Sequence, residues 1–271
     1  MRGTSAASLA AVRAGVEPVL RDAGEQAAVL GAQLDAVVDA LLASGSLRRA
    51  VADPSRPADD KPALVRPLLS GKPDARVVAV VEEVVRARWS AEDDVVMALE
   101  ELAAHAVLAS AEATGDLAAV EDELFRVSRM LVGQREVRRS LVDRTASPEA
   151  RAGLARALLA GRAQPATVQL VERAAFEPHR RTMAAALAWL GGLAADRRSL
   201  LVATVTTAGR LTPAQTERLR RTLERSYGRP VRLAVAHDPE VIGGLRVQVG
   251  SQVVDATVLG RLDEVRRRLA G

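Results

Sequence analysis

The chain contains no cysteine. That excludes a disulfide framework, a thiol nucleophile and any Cys-containing zinc or iron–sulfur site. Aromatic residues are almost missing: two Trp, two Phe and one Tyr in 271 residues. Histidine is limited to His105, His179 and His237, which are too scattered to suggest a metal site. Lysine is scarce too, since 36 of the 38 basic residues are Arg. Arg does not deprotonate in a protein. The bias therefore lifts the pI to about 10.4 although the net charge at pH 7 is only +4. Long apolar runs are also lacking, because no stretch reaches the roughly 20 uninterrupted residues of a bilayer span. The run over 183–195 is short and closed by Arg197–Arg198, and Arg13 and Glu17 interrupt the N-terminal one. No signal peptide is expected, and the chain is read as cytosolic or peripheral on the cytosolic side of a membrane.

What is present is apolar residues, 48% of the chain, and repetition. The apolar fraction suffices for a core, and the length suits two domains or three small ones. Residues 47–86 align without a gap onto 137–176, with identities at 11 of 40 positions. They include Arg48/Arg138, Arg49/Arg139, Asp53/Asp143, Leu64/Leu154, Leu69/Leu159, Gly71/Gly161 and Glu82/Glu172. At the same offset of 90, Leu30, Leu34, Val37 and Leu41 pair with Val120, Leu124, Val127 and Leu131. Spacings of 4, 3 and 4 define one apolar helix face. Each copy thus predicts a long amphipathic helix, a short one at the Arg-Arg pair, and two more separated by Gly71 or Gly161. Ser147-Pro148-Glu149 and Ser90 with Asp93 read as helix starts. The helix near 92–113 either closes the first bundle, opens the second, or is shared.

From Leu200 the pattern changes. LLVATVTTA (200–208) is β-branched and short, VRLAVAH (231–237) alternates, and LRVQVGSQVV (245–254) alternates around a turn at Gly250-Ser251. Thr212-Pro213-Ala214-Gln215 reads as a capping box opening a helix with Leu219 and Leu223 inward. Leu259, Leu262, Val265 and Leu269 mark a last helix. The expected fold is mainly α: a repeat-built helical region, residues 1–91 and 92–198, then a small β-α-β-β-α domain over 199–271. The last region holds 12 Arg against 7 acids, so the basicity is regional.

An ordered set of residues in that last region carries a family resemblance. It runs Val231-x-Leu233, then Asp238-Pro239-Glu240-Val241-Ile242-Gly243-Gly244-Leu245-x-Val247-Gln248-x-Gly250, then Asp255-Ala256-Thr257 and Leu259-x-x-Leu262. It resembles the C-terminal part of the delta subunit of F-type ATP synthases, called OSCP in mitochondria. His237 stands where that family usually has an apolar residue, and Thr257 where it has Ser. The second repeat copy, from Gly115-Asp116-Leu117 and Glu123-Leu124 onward, resembles the family's six-helix N-terminal bundle. The partial duplication and the Arg-rich composition resemble actinobacterial members.

The resemblance implies a peripheral-stalk, or stator, subunit on the cytoplasmic face of the cell membrane. It would couple hydrogen ion transport to ATP synthesis, one copy per complex, with no catalytic, metal or cofactor site. It implies two partners: N-terminal helices of the α subunit on the bundle, and subunit b on the C-terminal domain. A groove for the α helices falls near 5–22 and 75–88, or near 94–112 and 165–177. Arg218, Arg221 and Arg225 lie at spacings of 3 and 4, so they can form one basic face toward an acidic stalk.

Other features read as structural. Gly243-Gly244 lacks the Lys-Ser/Thr of a P-loop and precedes a strand, so it reads as a tight turn. Glu82-Glu83, Asp93-Asp94 and Glu100-Glu101 are adjacent on helices and do not face each other. The rival reading is an Arg-rich helical nucleic-acid-binding protein with its basic face on phosphates. Against it stand the missing aromatic platforms, the small net charge and the absence of a helix-turn-helix signature.

Overall fold

The computed structural model describes residues 1, 3–69, 73–176, 181–198, 201–207, 209, 211–228, 231–237, 244–249 and 252–255. The chain forms two compact units, Met1–Arg198 and Ser199–Gly271.

The first unit is helical. Its elements are α1 (Thr4–Ala23), α2 (Ala27–Ala43), α3 (Gly45–Ala52), α4 (Pro62–Val65) and α5 (Ala75–Arg86). They continue with α6 (Glu92–Thr114), α7 (Leu117–Gly133), α8 (Arg135–Leu141), α9 (Pro148–Leu159), α10 (Pro165–Phe176) and α11 (Met183–Arg198). The offset of 90 carries α2 onto α7 and α5 onto α10 residue for residue. The predicted stripe is buried in both copies, from Leu30, Leu34, Val37 and Leu41 to Val120, Leu124, Val127 and Leu131. Burying a side chain of this size contributes roughly 1.5–3 kcal/mol. By composition the α1–α2 stretch is apolar enough for a bilayer span. Its buried side, with Val12, Val16, Leu20, Leu34 and Val38, instead belongs to the bundle core, and a 3-10 turn at Gly24–Gln26 separates the two helices.

Polar devices recur at the same offset. Asp53 Oδ1 accepts from the backbone N–H and hydroxyl of Ser55, and Asp143 Oδ1 does so from Thr145. Gln33 accepts the N–H of Asp74 at the head of α5, and Glu123 accepts that of Gln164 at the head of α10. Arg66 meets Glu82, and Arg156 meets Glu172. Arg151 is buried and donates to the carbonyls of Asp143, Ala146, Ala175 and Phe176. It thereby ties the loop before α9 to the carbonyl end of α10, where a cation also suits the helix dipole. Its repeat mate Lys61 is buried as well, and burial holds its ammonium below the usual lysine range.

The copies differ where proline intervenes. Residues 58–69 form two 3-10 turns around the four-residue α4, while the equivalent α9 is one helix. Pro62 and Pro67 stand where α9 has Ala152 and Ala157. A proline inside a helix removes an N–H donor and clashes with the preceding turn. Ser147 caps α9 as predicted, accepting from the N–H of Ala150. Ser90 does not cap α6. Its N–H goes to Ser5 Oγ, whose hydroxyl donates to Asp94, so α1 rather than the local chain takes that polar group.

Helix α6 is shared. Val95, Ala98, Leu99, Leu102 and Ala106 pack in one core with α1, α2 and α5. Ala104, Val107, Leu108 and Ala111 pack in a second core with α7, α10 and α11. At 100° per residue these sets lie on opposite sides of the helix, and a helix apolar all round is an interior one.

The second unit contains β1 (Leu201–Thr207), α12 (Pro213–Tyr227), β2 (Val231–His237), β3 (Leu245–Val249) and β4 (Gln252–Asp255). The sheet order is β2-β1-β3-β4. β1 pairs parallel with β2, Leu201 opposite Val231, and antiparallel with β3, Val205 opposite Val247. Val205, Val231 and Val247 are buried against Leu219, Leu223 and Tyr227 of α12. The capping box forms: Thr212 accepts from the N–H of Gln215, whose side chain accepts from that of Thr212. The predicted last helix, with Leu259 and Leu262, lies outside the described residues.

Candidate partner-binding surfaces

On α12 the side chains of Arg218, Arg221 and Arg225 are all exposed on one side. Arg221 donates to Glu217, however, and Arg220 is held between Glu217 and Glu224. Those arginines hold the Glu217 carboxyl down at about 2. Among the described residues of this face, Arg218 and Arg225 thus have no acidic partner, Arg225 donating to the Arg221 carbonyl. Of the signature residues, Gly244 has φ +81, a conformation that favours glycine, and leads into β3. Asp255 ends β4 opposite Arg246. Asp238, Pro239, Ile242, Gly243, Gly250, Leu259 and Leu262 lie outside the described residues.

In the first unit the adjacent acids are dispersed among arginines. Glu82 meets Arg66 and Arg86, Glu100 meets Arg181, and Glu101 meets Arg13. His105 is buried with its ring 3.9 Å from Glu101. Trp89 is buried and donates to the Val84 carbonyl. Arg48 donates to the carbonyls of Leu41 and Leu42 at the end of α2, where a cation suits the helix dipole.

Sequence reading missed the junction where the two copies meet. Arg173 of α10 reaches Asp35 at 3.2 Å and Asp39 at 2.7 Å on α2, and Gln169 donates to the Ala28 carbonyl. Beside them Arg181 lies over the Trp189 ring, 4.1 Å from its centre. Asp35, Glu100, Gln169, Arg173, Arg181 and Trp189 line a cavity of about 50 Å³. Burial pushes the Asp35 carboxyl up to about 7, with Arg173 opposing and Asp39 and Glu100 adding to the rise. The signal was present in the repeat itself: Arg173 is the mate of Glu83, and Asp35 that of Phe125. Mates of unlike charge sit where the copies have different neighbours.

The two candidate helix grooves therefore differ. In the second copy α6 is buried on both faces and α10 is engaged by α2. In the first copy α1 leaves Ala7, Ala11, Ala14 and Pro18 exposed, and Gly15 of the same helix faces the carboxylate of Glu83 on α5. Spacings of 4, 3 and 4 place those four residues along one side of α1. A third surface lies between α7 and α11, an open cleft lined by Ala118, Phe125, Ser128, Ala188, Gly191 and Arg198.

A family model described as the ATP synthase delta (OSCP) subunit matches residues 99–269, the second copy and the C-terminal unit. The chain is 53% identical to ATP synthase subunit delta of Beutenbergia cavernae over 271 residues, all of both chains. It is 45% identical to that of Kineococcus radiotolerans over 269 residues, 99% of this chain and 98% of the relative. With that of Thermobifida fusca it shares 41% over 271 residues, again all of both chains. Among solved structures, a chain of the Toxoplasma gondii mitochondrial ATP synthase hexamer matches 62% of this chain and 95% of its own. Its 21% identity and TM-score of 0.29 are too slight to bear on the fold. With a family model over more than half its length and full-length relatives far above 30% identity, the chain belongs to the ATP synthase delta (OSCP) subunit family.

Proposed function

We propose that the chain is a non-catalytic stator subunit of a proton-transporting ATP synthase, one copy per complex, peripheral on the cytoplasmic face of the membrane. It ties the catalytic head to the peripheral stalk, so that proton flow drives ATP synthesis rather than idle rotation of the head. In this reading the first unit takes an N-terminal helix of the α subunit. The observation that carries the choice of copy is the exposed small-residue side of α1, which continues to Gly15 where that helix meets Glu83 of α5, set against an α6–α10 pair already packed within the protein. Small side chains let a partner helix approach closely, and an amphipathic helix in such a groove is a recurring mode of recognition. Glu83 on α5 favours a cation on that helix.

In the second unit, Arg218 and Arg225 of α12 face an acidic end of subunit b, with Arg221 contributing when Glu217 releases it. Such a charge pairing speeds and orients docking more than it adds affinity.

Titrating the full chain with a peptide of the α N-terminus tests the choice of copy. Ala11→Glu is expected to weaken binding at least tenfold, and unchanged affinity excludes the α1–α5 surface. Membranes stripped of the chain test the role. Hydrolysis by the released head persists, and proton-driven synthesis is lost until the chain is restored. Undiminished synthesis after stripping refutes the stator role.

A further inference from the structure

The repeat makes one surface conspicuous by what covers its counterpart. On α2, Ala28 and Asp35 lie under α10, which reads them with Gln169 and Arg173. Their mates on α7 are Ala118 and Phe125, and both are exposed. Phe125 is 62% exposed and Val132, seven residues on, is 72% exposed. Residues seven apart on a helix share a side, so Ala118, Phe125 and Val132 form an apolar stripe off the buried one. Beside it α11 presents Ala188, Gly191 and Gly192, none of which holds an approaching backbone away. The cleft between these helices is open and has a volume of about 670 Å³.

The charges along this surface are not evenly matched. Glu121 is taken by Arg198 and Asp122 by Arg126. Arg129 lies over the Phe125 ring, 5.9 Å from its centre, and Arg135, Arg138 and Arg139 follow exposed on α8 with Glu136 among them. On α2 the mate of Arg129 is Asp39, which draws the cation Arg173. The sign is reversed on α7, so a partner must bring carboxylates. A second copy of this chain is a poor fit. Its α5, the counterpart of α10, carries α1 with it, and that helix would compete for the place α11 already fills.

We propose that the α7–α11 cleft is a second docking surface, and that it takes a single acidic amphipathic helix from another chain in the position that α10 holds on α2. Bulky apolar residues of that helix sit over Ala188, Gly191 and Gly192 against Phe125, and its flanking carboxylates meet Arg129 and the α8 arginines.

The test places the photo-crosslinker benzoylphenylalanine at Phe125 of the full chain in its native cells. Phe125 is exposed, so the fold tolerates the change. Mass spectrometry of the product is expected to give a peptide of another chain with apolar residues at helical spacing and flanking Asp or Glu. Arg129→Glu in the same chain is expected to cut the yield at least fivefold. A product only with a second copy or with a basic segment, no product at all, or a yield unmoved by Arg129→Glu overturns the proposal. The same crosslinker at Ala11 reports separately on the proposed α-subunit groove, so failure of one surface is distinguishable from failure of the other.

Discussion

Gly31 of α2 lies directly against Ala103 of α6. A Cβ at Gly31 would stand 2.9 Å from the Ala103 carbonyl oxygen and 2.8 Å from Val107 Cγ2. Neither neighbour is the free end of a flexible side chain. Gly31→Ala is therefore expected to push α2 from α6 and cost about 1–3 kcal/mol, as overpacking does. Urea unfolding of the full chain measures it. The mate on α7 is Glu121, which points to Arg198 in the open cleft, so Glu121→Ala is expected to cost no more than a surface ion pair, about 0–1 kcal/mol. Equal costs would show that the close approach is not what glycine serves there.

Leu102 and Leu108 sit on the same helix, both fully buried, one in each core. Leu102→Ala and Leu108→Ala are each expected to cost about 2–5 kcal/mol. Because α6 belongs to both bundles, either change should reduce hydrogen-exchange protection in α2 and in α7 together. Loss confined to one bundle would mean that the two cores open independently.

Asp35 predicts how the helical unit responds to pH. Its carboxyl ordinarily titrates near 4 in the unfolded chain and is pushed up to about 7 here, chiefly by burial. Between those values the native state holds more protons than the unfolded one, so stability falls as pH rises through that window. Above about pH 7 the cost stays constant. Asp35→Asn removes it, and Asp39 remains to pair with Arg173. The melting temperature of Asp35→Asn relative to wild type is expected to rise between about pH 5 and pH 8. Parallel curves would place the carboxyl back in its ordinary range.

Local chemistry made most of the fold legible. The Thr212–Gln215 box, the Ser147 cap, the period of α2 and α7, the β-branched segment at 200–208 and the two alternating strand segments are each written within a few neighbouring residues. The division of 58–69 was readable in principle from Pro62 and Pro67, but the strength of the repeat masked it. What sequence could not give is which face of α6 meets which core, since a helix apolar all round has no direction of its own. The candidate docking surfaces were half visible. Arg218, Arg221 and Arg225 followed from spacing, but the tie of Arg221 to Glu217 needed coordinates. Phe125 and Arg173 stand out only when each is compared with its mate ninety residues away.

The sharing of α6 also bears on how force crosses the helical unit. Two bundles joined by a loop would bend at the joint under a sideways pull. Here a single 23-residue helix, about 35 Å long, is gripped on opposite sides by the two cores, with no linker to act as a pivot. Twisting one bundle against the other must shear packed leucines and valines rather than swing a tether. A subunit that resists rotation gains length from such a doubling without gaining compliance.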